Sequence, residues 1–328
     1  MTPGNIRRAV VVGAGTMGHG IAQVFAQHGL AVALVDLDEA LLSQAIDRIR
    51  ANLELLLELE MVTPEEAEAT PARIRPTTDL AAAAAMADFA VEAVIENLQV
   101  KHEVFRALDA HCPPHAILAT NTSGLPITSI AAATRRPEQV IGTHFVNPAY
   151  VLPLVEVIKG EQTSDHTIAL TRAFLTALGK KPVVVWKDVP GFVGNRIQVA
   201  MARECFHIVE QGIATPEDVD TLVKNSFGFR LPVIGPFETY DMVGLDVVLA
   251  VARYLQPDLD ASSDPSALLQ QKVAGGDLGI KSGKGMYDWP PEKAQAMIEK
   301  RDRDLLRRVR DQQLVEQAAL TAEQARTR

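Results

Sequence analysis

Two side chains stand out in the stretch VIGTHFVNPAYVLPLVEVIKG, residues 140–160. His144 follows the apolar run Val140–Thr143, and Glu156 sits inside a second apolar run. A carboxylate in a buried strand is unfavourable unless it has a partner, and His144 is the economical candidate. A glutamate bonded to one imidazole nitrogen fixes the tautomer, which leaves the other nitrogen to take a proton from an alcohol. Spacing alone equally allows a satisfied core histidine beside an unrelated glutamate, because it does not show that the two touch.

An alcohol that loses its proton needs somewhere to send a hydride. The stretch VVVGAGTMGHGIA, residues 10–22, has Gly13, Gly15 and Gly18 in the spacing G-x-G-x-x-G, with Thr16 and Met17 between the last two. It follows a valine-rich run and opens a helical pattern, which is the context that makes this spacing a dinucleotide fingerprint. The first glycine serves the tight turn, the second the close approach of backbone to pyrophosphate, and the third the packing of helix on strand. Asp36 ends the next apolar run, AVALVD. Its carboxylate accepts hydrogen bonds from ribose hydroxyls and repels a 2′-phosphate, and the next residue is Leu37 rather than an arginine, so NAD is favoured over NADP. FAD uses the same fingerprint, so the hydride argument from His144 is needed to choose between them.

The elements that position these residues alternate. Strands are expected at Arg8–Val12, Ala31–Val35, Phe89–Ala93, Ala116–Ala119, Val140–Thr143, Leu154–Val157 and Val183–Val185. Helices are expected at Met17–His28, Glu39–Glu60, Val100–Ala110 and His166–Leu178. This predicts an α/β fold with a Rossmann-type, mostly parallel sheet covered on both faces. Pro190 and Gly191 interrupt the pattern. Beyond them the chain reads as helices at Val193–Gln211, Pro216–Asn225, Thr239–Leu255, Pro265–Ala274 and Pro291–Val309. The expected domains are therefore an NAD-binding unit over 1–188, an all-α substrate and dimerisation unit over 189–310, and a polar, fraying tail over 311–328.

The 328 residues are long enough for two domains, and 47% hydrophobic with 22% charged residues is ordinary for a globular chain. A net charge of −9 argues against a basic nucleic-acid surface. No apolar run is long enough to span a bilayer, and no signal-peptide pattern opens the chain. Cys112 and Cys205 make no disulfide framework, which points to a reducing cytoplasm. His111, Cys112 and His115 lie close together, but Pro113 and Pro114 mark a turn there, so no metal site is expected.

These pieces together resemble the L-3-hydroxyacyl-CoA dehydrogenase family over nearly all of residues 6–289. The segments that carry the resemblance are VVGAGTMGHGIA, VEAVIENLQVKHEVF, ATNTSGLPITSIA, GTHFVNPAYVLPLVEVI, DVPGFVGNRI, IGPFETYDMVGLD and GIKSGKGMYDW. The resemblance implies that His144 is the general base and Glu156 its orienting partner. It implies that Ser123 and Asn195 hydrogen-bond the substrate around its hydroxyl and carbonyl. Asp36, Glu96, Lys101, Ser123 and Asn147 would line the NAD site, with the glycines at the pyrophosphate. Residue by residue, a solvated charge pair for Glu96 and Lys101, and turn capping for Ser123 and Asn147, are the plainer alternatives. The implied reaction is reversible oxidation of a 3-hydroxyacyl substrate to its 3-oxo form by a homodimer joined through the helical domain.

The chain also departs from the family. Members acting on coenzyme A thioesters commonly carry lysines after the second helix. Here ANLELLLELEMVTPEEAEAT, residues 51–70, holds Glu54, Glu58, Glu60, Glu65, Glu66 and Glu68 and no lysine. Pro153 stands where a lysine is usual. The alternative substrate is therefore a free hydroxy acid or a ring-borne hydroxymethyl or aldehyde compound. An alternative of another class is a non-catalytic NAD-binding protein on the same scaffold, against which the joint presence of Ser123, His144, Glu156 and Asn195 argues.

Overall fold

The computed structural model describes residues 3–326. The chain folds into two compact units: residues up to Val193 together with those from Glu299, and Gly194–Ile298.

In the first unit the chain runs β1 (Arg8–Val12), α1 (Gly18–Gln27), β2 (Ala31–Val35), α2 (Glu39–Glu58), α3 (Pro64–Ala72) and β3 (Ile74–Thr77). It continues through α4 (Leu80–Ala84), β4 (Phe89–Glu92), α5 (Leu98–His111), β5 (Ile117–Thr120), α6 (Ile127–Ala131), β6 (Val140–Phe145), β7 (Leu154–Ile158), α7 (Asp165–Ala177) and β8 (Lys181–Val185). The strands make one sheet in the order β3-β2-β1-β4-β5-β6-β7-β8. It is parallel from β3 to β6; β7 then runs antiparallel to β6, and β8 parallel to β7. Chain order reverses between β1 and β4, so a crevice opens beyond their carboxyl ends, where ligands of open α/β sheets bind.

The central strands β4, β5 and β6 are buried along their whole length, as helices on both faces require. Phe25 of α1 meets Phe89, Phe145 and Phe174 at ring-centroid separations of 6.2, 6.4 and 5.6 Å, so one aromatic cluster ties α1 and α7 to β4 and β6. Burying each such ring is worth about 1.5–3 kcal/mol. Side chains start the helices: Asp38 accepts from the Ala40 N–H, Asn97 from Gln99 and Val100, and Ser164 from Thr167.

β3 and α3 are among the elements of this unit with no counterpart in the sequence reading. β3 holds Pro76, which argues against a central strand, and the structure places β3 at the sheet's edge. α3 opens with Thr63-Pro64-Glu65-Glu66, closed by a full capping box between Thr63 and Glu66.

The second unit holds α8 (Gly194–Glu210), α9 (Pro216–Asn225), α10 (Phe227–Arg230), α11 (Pro236–Val243), α12 (Leu245–Leu255) and α13 (Ala267–Ala274). The single helix expected over Thr239–Leu255 is two, because Gly244 adopts φ +99°, a backbone conformation that ends α11.

The C-terminal end departs most from the sequence reading. Instead of a helix that stops at Val309 and a fraying tail, α14 runs from Pro291 to Arg326. Residues from Glu299 onward belong with the sheet unit, not with the helical domain or a separate tail. Leu306 is buried in the same core cluster as Leu53, Leu56 and Leu59 of the α2 region. Arg303 makes a two-pronged ion pair with Glu58, and Arg310 donates to the Leu59 carbonyl at 3.3 Å. The apolar positions that dock, Leu305, Leu306 and Val309, precede the expected tail, and only the α2 region packed against them shows what they are for.

Candidate active site

The glycine turn joins β1 to α1 at the crevice. Gly13 has φ +103°, and a Cβ there would lie 2.5 Å from the Ala93 carbonyl oxygen beyond β4. A Cβ on Gly18 would lie 1.7 Å from the Gly13 oxygen. Both positions therefore exclude every residue except glycine, at opposite ends of one turn. Gly15 differs: nothing stands within 4 Å of where its Cβ would be, so its open side faces free space. α1 starts after Met17 with no side-chain cap, which leaves its first N–H groups suited to an anion. Thr16 is exposed beside them. Asp36 stands at the end of β2, with one carboxylate oxygen accepting from the Ala14 N–H and the other from Leu37, each at 2.7 Å. Each oxygen keeps a second lone pair for a ribose hydroxyl. An uncapped helix start, an open glycine and an acceptor carboxylate fit the diphosphate and adenine ribose of NAD.

A second cluster lies past β4 and β5. Glu92, at the end of β4, is completely buried. It accepts from the Val94 N–H, from Lys101 Nζ and from the Thr120 hydroxyl, each at 2.7 Å. Lys101 also reaches Glu96 Oε2 at 3.2 Å. Glu96 Oε1 in turn accepts from the Thr122 hydroxyl, the Ser123 N–H at 2.9 Å and the Gly124 N–H at 3.2 Å. Burial alone would push the Glu96 carboxyl up, but the Thr122 bond and the Lys101 charge outweigh it and hold it below the usual carboxylate range. Lys101 is not a solvated helix-start charge; its side chain is only 1% exposed. It stands behind Glu96 and reaches the crevice through it. Glu92 was missed by the sequence reading, although a carboxylate in FAVEAV carries the same signal as Glu156 in LPLVEV.

The third cluster holds the pair. β6 and β7 run antiparallel with His144 directly opposite Glu156 in register. His144 Nδ1 lies 2.7 Å from Glu156 Oε2. Both residues are buried, at 8% and 3% exposure. With the Nδ1 proton donated to the carboxylate, Nε2 carries a free lone pair. The Val193 N–H donates to Glu156 Oε1 at 3.0 Å, and the Phe192 ring lies 5.8 Å from the imidazole. Asn147 is exposed just past β6, before a cis bond to Pro148.

The glycine turn, the Glu96–Ser123 cluster and His144–Asn147 thus follow β1, β4, β5 and β6 along one carboxyl edge. Asn195 is the second residue of α8, in the other unit. Among the described residues, no group of three His, Cys, Asp or Glu side chains is placed to hold a metal ion. No helix among them is long and apolar enough to cross a membrane.

Comparison with known proteins identifies the family. The family profile described as "3-hydroxyacyl-CoA dehydrogenase, NAD binding domain" matches residues 8–189, and "3-hydroxyacyl-CoA dehydrogenase, C-terminal domain" matches 191–289. A probable 3-hydroxybutyryl-CoA dehydrogenase of Bacillus subtilis is 41% identical over 87% of this chain and 98% of its own length. A 5-formyl-3-hydroxy-2-methylpyridine 4-carboxylate 5-dehydrogenase of Mesorhizobium japonicum is 38% identical over 92% of this chain and 96% of its own. Among solved structures, an NAD-dependent dismutase acting as the 5-dehydrogenase of that pyridine acid superposes with a TM-score of 0.87, at 38% identity over 93% of this chain and 98% of that one. The (S)-3-hydroxybutyryl-CoA dehydrogenase of Ralstonia eutropha superposes at 0.73, with 39% identity over 87% of this chain and 100% of that one.

Proposed function

The chain belongs to the 3-hydroxyacyl-CoA dehydrogenase family and is an NAD-dependent dehydrogenase acting on CH–OH groups; from that premise we propose that His144 is its general base and Glu156 the partner that orients it. The observation that carries this is the 2.7 Å bond between two buried side chains on adjacent strands. NAD, when bound, supplies the hydride acceptor. His144 Nε2 takes the hydroxyl proton, and the Glu156 carboxylate stabilises the imidazolium that results. Ser123 and Asn195 hold the substrate oxygens. Gly13, Gly15, Thr16, Met17 and Gly18 receive the diphosphate, Asp36 the ribose, and Glu96, Ser123 and Asn147 the nicotinamide side, with Lys101 acting through Glu96.

The first reading of the substrate is a 3-hydroxyacyl group, oxidised reversibly to the 3-oxo form. A second reading is favoured by specific observations: a small hydroxy acid or ring-borne alcohol that carries no CoA. The pyridine-acid dehydrogenase superposes at 0.87, against 0.73 for the hydroxybutyryl-CoA enzyme. Around α2 and α3 the surface carries glutamates, and Glu58 is held by Arg303 from α14. A matched comparison followed by NADH absorbance separates the readings. Reduction of free 3-oxo acids and pyridine aldehydes is expected to exceed that of acetoacetyl-CoA. A kcat/KM of about 10⁶ M⁻¹s⁻¹ or above with acetoacetyl-CoA establishes the first reading instead.

The exposed apolar side chains of the helical unit, among them Ile197, Val199, Leu245, Leu249 and Tyr254, support a homodimer formed through that unit. With two free cysteines, a cytoplasmic location is the consistent one.

A further inference from the structure

The segment Asp188–Val193 leaves the sheet as a strap across the candidate site. Asp188 Oδ2 accepts from the Thr128 N–H and hydroxyl, both at 2.8 Å, which pins the start of the strap to α6. The Gly191 nitrogen lies 3.8 Å from where a Cβ on Gly124 would stand, beside Ser123. Gly191 has φ +72° and Phe192 φ +50°. A bulky side chain in the left-handed region is strained and persists only where its surroundings over-determine it. Here they do: Phe192 is fully buried, in one apolar cluster with Leu118, Ile127, Ile130 and Ile158. Its ring is tilted 59° to the His144 imidazole at 5.8 Å. The residue after it delivers its N–H to Glu156 Oε1.

We propose that Phe192 is a positioning residue for the reaction: its ring walls the His144 imidazole, and its left-handed backbone aims the Val193 N–H at Glu156, so that one strained residue holds both members of the pair. The proposal rests on the reading of His144 as the base. The ring leaves the imidazole fewer places to turn and keeps water from its face. The N–H fixes the carboxylate oxygen that His144 does not use, so the Glu156 plane cannot swing away from Nδ1. A phenylalanine is otherwise a poor choice at φ +50°, where glycine is free of strain. Among the described residues, Glu156 is the titratable group bonded to the imidazole.

Phe192→Gly tests this, because glycine adopts the native backbone without strain; it removes the wall and also empties the ring's place in the apolar cluster. Phe192→Leu is the conservative companion that refills the apolar space. For Phe192→Gly, kcat is expected to fall about tenfold to a hundredfold, with KM for NAD within about twofold of wild type. The acid limb of the kcat profile, which reports protonation of the base, is expected to move to higher pH as water reaches the imidazole. Phe192→Leu is expected to recover most of kcat and the wild-type profile. A Phe192→Gly enzyme with kcat and pH profile unchanged overturns the proposal. So does a loss of kcat in both variants that tracks thermal stability and leaves the pH profile in place, since that is a folding role alone. A His144→Ala enzyme with wild-type kcat overturns the underlying assignment of the base, whatever Phe192 does.

Discussion

The two units handle the same kind of side chain in opposite ways. In the sheet unit, most Val, Ile, Leu and Phe side chains are buried in two clusters on either face of the strands. In the helical unit, α8, α9, α11, α12 and α13 have no buried residue at all, although α12 is LDVVLAVARYL. At about 25 cal/mol per Å² of apolar surface removed from water, the first unit secures its own stability and the second leaves most of that gain unrealised. The polar residues divide the same way. Glu92, Lys101, His144 and Glu156 are buried and mutually bonded in the sheet unit, where a rigid and dry setting strengthens each interaction. The helical unit offers apolar faces rather than buried polar pairs. On the proposed function this becomes a division of labour: the His144–Glu156 pair is built into the self-sufficient unit, and assembly falls to the one that needs cover.

The sharpest way to break this division is at the pair. His144→Ala is expected to lower kcat by about 10²–10⁴ while NAD binding, read by fluorescence titration, survives. Glu156→Gln is expected to cost less and to shift the pH dependence of oxidation. Chemistry that survived both changes would have to reside elsewhere.

The cofactor end of the same unit comes next. NAD is expected to be preferred over NADP by about 30- to 1000-fold in kcat/KM, from the Asp36 carboxylate's hydrogen bonds to the ribose together with charge repulsion. Asp36→Asn should narrow that ratio, and because Asp36 also accepts from Ala14 and Leu37, it should weaken NAD binding as well. Equal efficiency with both cofactors in the wild type would remove Asp36 from cofactor choice.

The helical unit is probed by charge. Leu249→Glu, on the exposed face of α12, is expected to weaken the dimer by about 100-fold or more in Kd, seen by sedimentation at micromolar concentration. NAD affinity should change little. A wild-type chain that sediments as a monomer would mean that those apolar faces have some other cover.

The smallest effect is a pH dependence of stability. Lys180 is buried, with its ammonium donating to the Ala149 and Leu152 carbonyls at 2.7 and 3.0 Å. Burial pushes it down to about 8. Above about pH 8 the folded amine is neutral while the unfolded one still binds a proton, so stability rises with pH there, by about 1 kcal/mol between about pH 8 and 9. Burial pushes Cys112 up to about 11 and Tyr150 up to about 12. These acids ionise earlier in the unfolded chain, so they erode stability above about pH 9. Denaturant titrations should show a maximum near pH 9, as an order of magnitude from these shifts. In Lys180→Met the rise should vanish and only the fall remain.

Much of this was legible in the sequence, and the reason is local. The valine runs, the glycine spacing and Thr215-Pro216-Glu217-Asp218 act through neighbours a few residues apart, and α9 runs from Pro216 to Asn225 as expected, with Thr215 accepting from the Asp218 N–H. The same cap at Thr63-Pro64-Glu65-Glu66 is masked in the sequence because the helix expected from Glu39 already claims the ground before it. Whether His144 meets Glu156 is not local. The residues are 12 apart, and only the reversal of β7 against β6 sets them opposite each other; a one-residue slip would turn Glu156 to the other face. The burial of Lys101 depends on Glu92 arriving from a different element. The return of α14 brings Arg303 to Glu58, 245 residues earlier, and buries Leu306 against the α2 region. Periodicity and spacing record what a segment does with its own neighbours, so they were enough for most of the sheet, for the turn and for a dinucleotide site. Pairing across the fold is decided by register and by which faces need covering, and those exist only once the chain has packed.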